Sequence, residues 1–379
     1  MIEITLFSIL FPFFVSCILG VLVIPRILLV SHKKRLYDAP DSRKVHHGLI
    51  PRLGGISFFP VMQISVCLTL GVWFLLGFRS MGVTLSVFFV RFMMLLVGLM
   101  LLYLVGVMDD MIGVSYKSKF LVQIVAASLL PITGLWINHL DGLFGIYYLT
   151  PWLGIPLTLL IVVYVTNAIN LIDGIDGLAS GLCCISLVTL GAAAVFKGQI
   201  PFIILCFAMF GILLPFWYYN VFGNAERGRK LFMGDTGSLT LGYLISFIVI
   251  YMSKLSSIDF PTGMLMFCFS TLIIPLFDVA RVFYARIRRH HNPFLPDKNH
   301  IHHKLLRTGM NMHGVLITLL LLSLMFIGVN SLGLRLRVNP TWIFLVDVVL
   351  WTCMHLIINH FIRKKEGKLF IDEEKTTTK

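Results

Sequence analysis

Residues 153–178 read LGIPLTLLIVVYVTNAINLIDGIDGL, from Leu153 to Leu178. The first part is apolar enough to sit in hydrocarbon, and the second sets Asn167, Asn170, Asp173 and Asp176 at every third position. Amides and carboxylates at the end of a bilayer-spanning helix are costly to keep there, so the stretch decides the fold class and shows where chemistry is expected. Neighbours in the series share a helical face, although an ideal helix drifts by about 180° over the whole of it. Gly174 and Gly177 are therefore expected to break the helix and fold the later aspartates back toward the asparagines, giving a compact oxygen-rich pocket. The competing reading makes Asp173 or Asp176 a simple cap of the next helix. It leaves the other aspartate and both asparagines unexplained.

The rest of the chain has the same texture. It is 58% hydrophobic and 13% charged, and its apolar runs of about 18 to 25 residues can each cross about 30 Å of hydrocarbon. The expected class is an all-α polytopic membrane protein of about eleven transmembrane helices, near 4–25, 56–78, 90–108, 119–137, 153–171, 179–196, 201–218, 237–252, 261–284, 314–333 and 341–361. Residues 1–362 read as one integral-membrane domain and 363–379 as a basic, then polar, tail. The seven cysteines lie in or beside apolar runs without metal-type spacing and read as packing residues. The first span lacks a basic segment before it and reads as a retained, N-outside anchor rather than a cleaved signal.

Lys and Arg set the orientation, because short loops rich in them stay in the cytoplasm. Lys33, Lys34, Arg35, Arg43, Lys44 and Arg52 follow the first span, and Arg286, Arg288, Arg289, Lys298, Lys304 and Arg307 follow the ninth. Opposite-side loops carry only isolated charges such as Lys197 and Lys254, with Arg335 and Arg337 as exceptions. The net charge of +13 lies mostly in these membrane-apposed loops, where anionic lipid attracts it, and no nucleic-acid-binding motif accompanies it. A lipid bilayer, not nucleic acid, is the expected partner.

Five polar clusters fall on the cytoplasmic side of this topology. Arg43 to Gly55, including Lys44, His46 and His47, reads as a phosphate cradle at a helix start, or as a positive-inside anchor with a glycine turn. Asp109-Asp110 ends the third span, with Lys117 and Lys119 just beyond. Consecutive helical residues point about 100° apart, so one carboxylate can face a substrate or metal while the other holds a neighbouring helix or lysine. Negative charge at a helix C-terminus opposes the macrodipole, so something nearby must compensate it. The third cluster is the Asn/Asp series above. Asp235, in Phe232-Met233-Gly234-Asp235-Thr236-Gly237-Ser238, reads as a ligand for a hard cation or as a helix cap. Last come Asp278 and Arg281, then Asp297, His300, His302 and His303, where adjacent lysines argue against zinc and favour donation to phosphate or sugar oxygens, with Asp297 orienting one histidine.

These motifs, in this order from Arg43 to Lys304, resemble the polyprenyl-phosphate N-acetylhexosaminyl-1-phosphate transferase family. The His-x-His-His form and the eleventh span are closer to the WecA and TagO branch than to MraY. The resemblance implies transfer of a sugar 1-phosphate from a UDP-N-acetylhexosamine to undecaprenyl phosphate at the bacterial inner membrane, releasing UMP and starting cell-envelope glycan synthesis. It implies Mg²⁺, with Mn²⁺ as a substitute, at Asp235 and Asn170. Phe232 would stack on uracil; Asn167, Asp173 and Asp176 would line the nucleotide-sugar pocket; His300, His302 and His303 would select the sugar. Lys44, His46, Lys119 and Arg281 would meet phosphates, the lipid phosphate at Lys119 among them. UDP-GlcNAc is expected by resemblance only, and a homo-oligomer is compatible with the sequence.

The chemistry agrees without the family. A phosphomonoester with a second pKa near 6 is already largely an anionic nucleophile at neutral pH. The reaction then needs neutralisation and alignment of two repelling phosphates more than a strong base. Asp109 and Asp110 are catalytic by position, their division between base, nucleophile and metal helper open. A secondary transporter would place its acids near the bilayer midplane, and an Asp-rich prenyltransferase would need paired DxxxD-like motifs that the chain lacks.

Overall fold

The computed structural model describes residues 2–34, 36–37, 50–77, 85–255, 263–290 and 299–377, with the side chains of 85–87 and those beyond 365 excepted. Its helices are α1 (Ile2–Lys34), α2 (Phe58–Leu75, entered through a 3-10 turn at Gly54–Ser57), α3 (Leu85–Ile112), α4 (Tyr116–Ile132), α5 (Pro151–Ile172), α6 (Leu178–Phe196) and α7 (Ile200–Val221). They continue as α8 (Gly234–Ser253), α9 (Met264–Ser270), α10 (Ile273–Arg288), α11 (Ile301–Arg307), α12 (Met312–Arg335) and α13 (Pro340–Thr377). Nine helical segments among the described residues are long and apolar enough to cross a membrane. The protein is an all-α polytopic membrane protein.

Two expected spans take a different form. The segment near 261–284 is a bent pair, α9 and α10, turned by 78° at the break. Pro275 has no N–H to donate to Thr271, and the Ser270 and Thr271 hydroxyls bond back to the carbonyls of Phe267 and Cys268, so the helical ladder fails there. The segment near 119–137 is helical only as α4, 17 residues or about 26 Å of rise. Gly134, at φ +73°, closes it with the left-handed stop that favours glycine. At the other end of the chain, α13 continues as helix beyond residue 362 to Thr377.

One element has no counterpart in the sequence reading. Strands β1 (His139–Leu143) and β2 (Ile146–Tyr148) pair antiparallel between α4 and α5. Their two-residue turn, Phe144-Gly145, takes positive φ at both positions, the geometry that matches strand twist in tight hairpins.

The bundle is organised around α8, in which every residue from Thr236 to Ser253 is buried. Helices α3 and α5 pack on it most extensively. Lipid offers no hydrophobic gain for helix pairing, so close approach through small residues supplies the packing. A Cβ at Gly106 would lie 2.4 Å from Thr236 Cα, so α3 must be bare there. The same logic shapes α1, whose buried stripe Ser8, Pro12, Ser16, Gly20, Ile24, Leu28 and Ser31 meets α7. The opposite face of α1, with Leu6, Leu10, Phe14 and Ile18, stays exposed as a lipid-facing surface should. All seven cysteines are free, and Cys183, Cys206 and Cys268 are buried.

Candidate active site

The C-terminus of α3 meets the N-termini of α4 and α8 and the C-terminus of α5, which brings most of the polar clusters to one end of the bundle. Asp110 is spent on α8. Its Oδ1 accepts the Asp235 N–H at 2.8 Å, and its Oδ2 accepts the Thr236 N–H at 3.0 Å and the Thr236 hydroxyl at 2.6 Å. The carboxylate thereby satisfies orphan donors of the helix and sits at the positive end of its dipole. Gly234 opens α8 at φ +72°, and a Cβ there would lie 2.2 Å from Arg52 O and 2.5 Å from Asp110 Oδ2. Only glycine serves both requirements.

Asp109 faces Lys119. Its Oδ1 accepts the Val114 N–H at 2.8 Å, closing the end of α3, and its Oδ2 lies 3.2 Å from Lys119 Nζ. The same ammonium is 2.8 Å from Asp235 Oδ2. Asp109 and Asp235 lie close enough for their carboxylates to act on each other, and Asn170, which donates to Ser238 Oγ at 2.8 Å, is beside Asp235. Asp109, Asp110 and Asp235 offer oxygens that all lie within 4.8 Å of one another. Two carboxylates this close repel unless a cation joins them, and Lys119 supplies that charge.

The loop after α5 turns at Gly177, whose φ of +76° favours glycine. Asp173 caps the end of α5, and Asp176 is bound to Lys230 at 2.5 Å. The Asp173 side chain keeps contact with solvent while protein crowds around it; desolvation, then the fields of Asp176 and Asp235, push its pKa up to about 7, with Arg52 opposing them. Gly174 packs so tightly against the histidine segment that a Cβ would lie 2.1 Å from His302 Nε2. Asn220 fixes the next turn: its Oδ1 accepts the Gly177 N–H at 2.6 Å and its Nδ2 donates to Leu231 O at 2.8 Å. The Trp217 indole N–H donates to Gly177 O at 3.2 Å.

Phe232 lies on a short backbone pairing between two of the motifs. Its N–H donates to Pro51 O at 2.8 Å, and Gly54 and Gly55 donate to the carbonyls of Phe232 and Met233 at 2.9 and 2.8 Å. The ring is half-buried. Asn167 is directed at Gln123, donating to its Oε1 at 2.5 Å, one turn of helix away from the carboxylate centre.

In the histidine segment the organiser is Asp278, which is wholly buried. It receives His300 Nδ1 at 2.8 Å, Arg281 Nη2 at 2.7 Å and the Ile301 N–H at 3.0 Å. Arg281 also donates to Asn299 O at 2.5 Å. Arg281 and His300 are thus joined through one carboxylate. His302, 1% exposed, lies between the parallel ring of His300 and the tilted ring of His303. Burial, then the neighbouring His303, push its pKa down to about 3, so it is neutral. Lys44, His46 and Asp297 lie outside the described residues.

Sequence reading passed over Asn220 and Gln123 as working members of this end of the bundle, gave Lys230 no task, and singled out Asp278 without making it the residue that holds His300. Asn220 carried a usable signal, an amide closing an otherwise apolar run, the same feature that singled out Asn167 and Asn170.

A family model described as Glycosyl transferase family 4 matches residues 92–253. The chain is 34% identical over 327 residues to an undecaprenyl-phosphate alpha-N-acetylglucosaminyl 1-phosphate transferase of Yersinia pestis, a match spanning 83% of this chain and 82% of that one. It is 31% identical over 322 residues to the protein of the same name from Escherichia coli strain K12, covering 84% and 82% of the two chains. A probable undecaprenyl-phosphate N-acetylglucosaminyl 1-phosphate transferase of Bacillus subtilis strain 168 is 32% identical over 335 residues, 86% of this chain and 85% of its own.

Proposed function

Because the chain belongs to glycosyl transferase family 4, we propose that it transfers N-acetylglucosamine 1-phosphate from UDP-GlcNAc to undecaprenyl phosphate, releasing UMP and leaving a lipid-linked pyrophosphoryl sugar. The observation that carries this reading is the centre formed by Asp109, Asp235, Lys119 and Asn170 at one end of the bundle. A transporter reading predicts acids near the midplane instead.

The donor set fits a hard divalent cation. Oxygen ligands at this spacing suit Mg²⁺, which commonly takes one or two carboxylates and completes its shell with water and phosphate. Asp110 already accepts three hydrogen bonds from α8, so Asp109 and Asp235 are the residues to hold the ion, with the Asn170 amide beside them. When bound, Mg²⁺ would supply charge neutralisation and alignment to the phosphates.

The side chains have their own tasks. Lys119 neutralises two carboxylates, and its ammonium would be available to the lipid phosphate when Asp109 and Asp235 held a cation. Asp110 fixes the N-terminus of α8 and so the position of Asp235. Phe232, Asp173, Asp176 and the histidine segment lie on the loops around this centre and form the nucleotide-sugar side of the site, Asp176 being steadied by Lys230. The acceptor phosphate needs no strong base, since it is largely ionised at neutral pH. The Lys- and Arg-rich loops support a cytoplasmic, inner-membrane setting for this end of the bundle.

Incubation of the purified protein with Mg²⁺, undecaprenyl phosphate and a panel of UDP-sugars tests the reading, with UMP release expected for UDP-GlcNAc. One pyrophosphate link is broken and one made, so added UMP is expected to drive measurable reversal. Release of inorganic diphosphate, or no UMP with any UDP-sugar, would overturn it.

A further inference from the structure

The end of the bundle away from the carboxylates holds a cationic pair that the reaction does not use. Arg91 lies 18 residues before Asp109 on α3, and Lys254 follows α8, 19 residues after Asp235. At 1.5 Å per residue each is about 28 Å from the candidate active site, close to the hydrocarbon thickness of a bilayer. Both therefore sit at the opposite membrane surface, where short loops rarely keep Lys or Arg. Lys254 was an isolated charge in the sequence. The fold gives it a companion.

The two cations converge on one turn of chain. Arg91 Nε donates to Thr133 O at 3.3 Å and Lys254 Nζ to Gly134 O at 3.4 Å. The guanidinium lies 5.8 Å from the centre of the Tyr251 ring and the ammonium 6.0 Å from that of Trp136. Among the described residues neither has a carboxylate partner. Burial, and then the charge of Arg91, depress the Lys254 pKa. Capping the last carbonyls of α4 accounts for one positive charge; a second, brought from another helix against it, is a cost that neutral partners do not offset. Most of the donors on both groups remain open.

We propose that Arg91 and Lys254 hold the phosphate of an anionic phospholipid headgroup in the leaflet opposite the candidate active site. Two donors from different helices can grip one phosphate from two sides, and its charge relieves their repulsion. A lipid is favoured over a free anion by the depth of the pair. It lies beside half-buried Trp136 and next in the chain to a hairpin whose Tyr148 and, beyond it, Trp152 are 79% and 89% exposed, the residue types that mark the headgroup level.

The test uses the full-length protein in nanodiscs or detergent, with native mass spectrometry reading retained lipid. Wild type is expected to retain phosphatidylglycerol over phosphatidylcholine, and the double variant R91Q/K254Q to retain it roughly tenfold less, with UMP release in phosphatidylcholine unchanged. Millimolar inorganic phosphate should not displace the lipid; displacement would assign the pair to a soluble anion and overturn the lipid reading. Equal phosphatidylglycerol retention by wild type and the double variant would overturn the site itself. Should the double variant fold poorly, K254Q alone removes one of the two contacts and should show a smaller loss in the same direction; no loss there overturns the site as well.

Discussion

Asp110 and Thr236 are joined twice, the carboxylate Oδ2 accepting both the Thr236 N–H at 3.0 Å and its hydroxyl at 2.6 Å. Adjacent acids on α3 therefore do different things, Asp110 fastening a helix and Asp109 facing Lys119 and Asp235. Asp110→Ala should lower stability by about 1–3 kcal/mol through the donors it strands, seen as a lower melting temperature in detergent. Asp109→Asn should melt near wild type and yet lose UMP release. Equal melting of the two variants would contradict this division.

Asp235 and Asp109 are the expected cation ligands, which makes binding measurable without turnover. Mn²⁺ titration followed by electron paramagnetic resonance should show a site in wild type that is weakened at least about tenfold, the effect of losing one charged ligand, in Asp235→Asn. Chelation should stop UMP release, and Mg²⁺ should restore it. Unchanged Mn²⁺ affinity in Asp235→Asn would remove the assignment.

Gly174 and His302 form a contact with no room for a methyl group. Gly174→Ala should cost about 1–3 kcal/mol by overpacking, and His302→Ala should relieve much of it. A double-mutant cycle on melting temperature and UMP release should therefore show strong coupling. Additive losses would mean that the two segments move apart freely.

His302 also gives a pH prediction. Its pKa falls from 6.5 to about 3 on folding, so the folded state binds fewer protons than the unfolded one in that interval. Its contribution to stability is complete above about pH 6.5 and is lost as pH falls toward 3. His302→Phe should flatten the decline in melting temperature between pH 6.5 and 4; an unchanged slope would place the proton uptake elsewhere.

Asn220 ties the Gly177 turn to Leu231 from the end of α7. Asn220→Leu strands one donor and one acceptor and should cost about 1–3 kcal/mol. UMP release should fall with it, because Asp176 and Lys230 sit on the two segments it joins. A thermal melt alongside the activity assay reads both effects.

Much of this could be read from the sequence, and the reasons are physical. Apolar runs long enough for a bilayer marked the helices, and polar residues at their ends marked the end of the bundle that holds the candidate site. The break after Asp173 followed from two glycines. What could not be read was pairing across the chain. Asp297, three positions before His300, drew attention as the orienting acid, whereas Asp278 on α10 holds His300. Lys230 and Asp176 are 54 residues apart, and nothing local announces such a partner. The hairpin was missed because five-residue and three-residue strands leave almost no periodic signal, and the bend at Thr271 because a proline early in α10 looks like an ordinary interruption of a span.

The seclusion of α8 bears on how the protein is made. Its surface carries Thr236, Gly237, Ser238, Thr240, Gly242 and Ser246, all turned toward other helices and none toward lipid. Such a segment gains little from bare hydrocarbon, so a ribosome delivering it to the translocon depends on α3, α5 and α6 already waiting in the bilayer to receive it. Synthesis order supplies that, since all three emerge first. Truncated nascent chains ending after α8 should integrate it efficiently, whereas α8 presented alone, without those escorts, should slip through to the far side of the membrane.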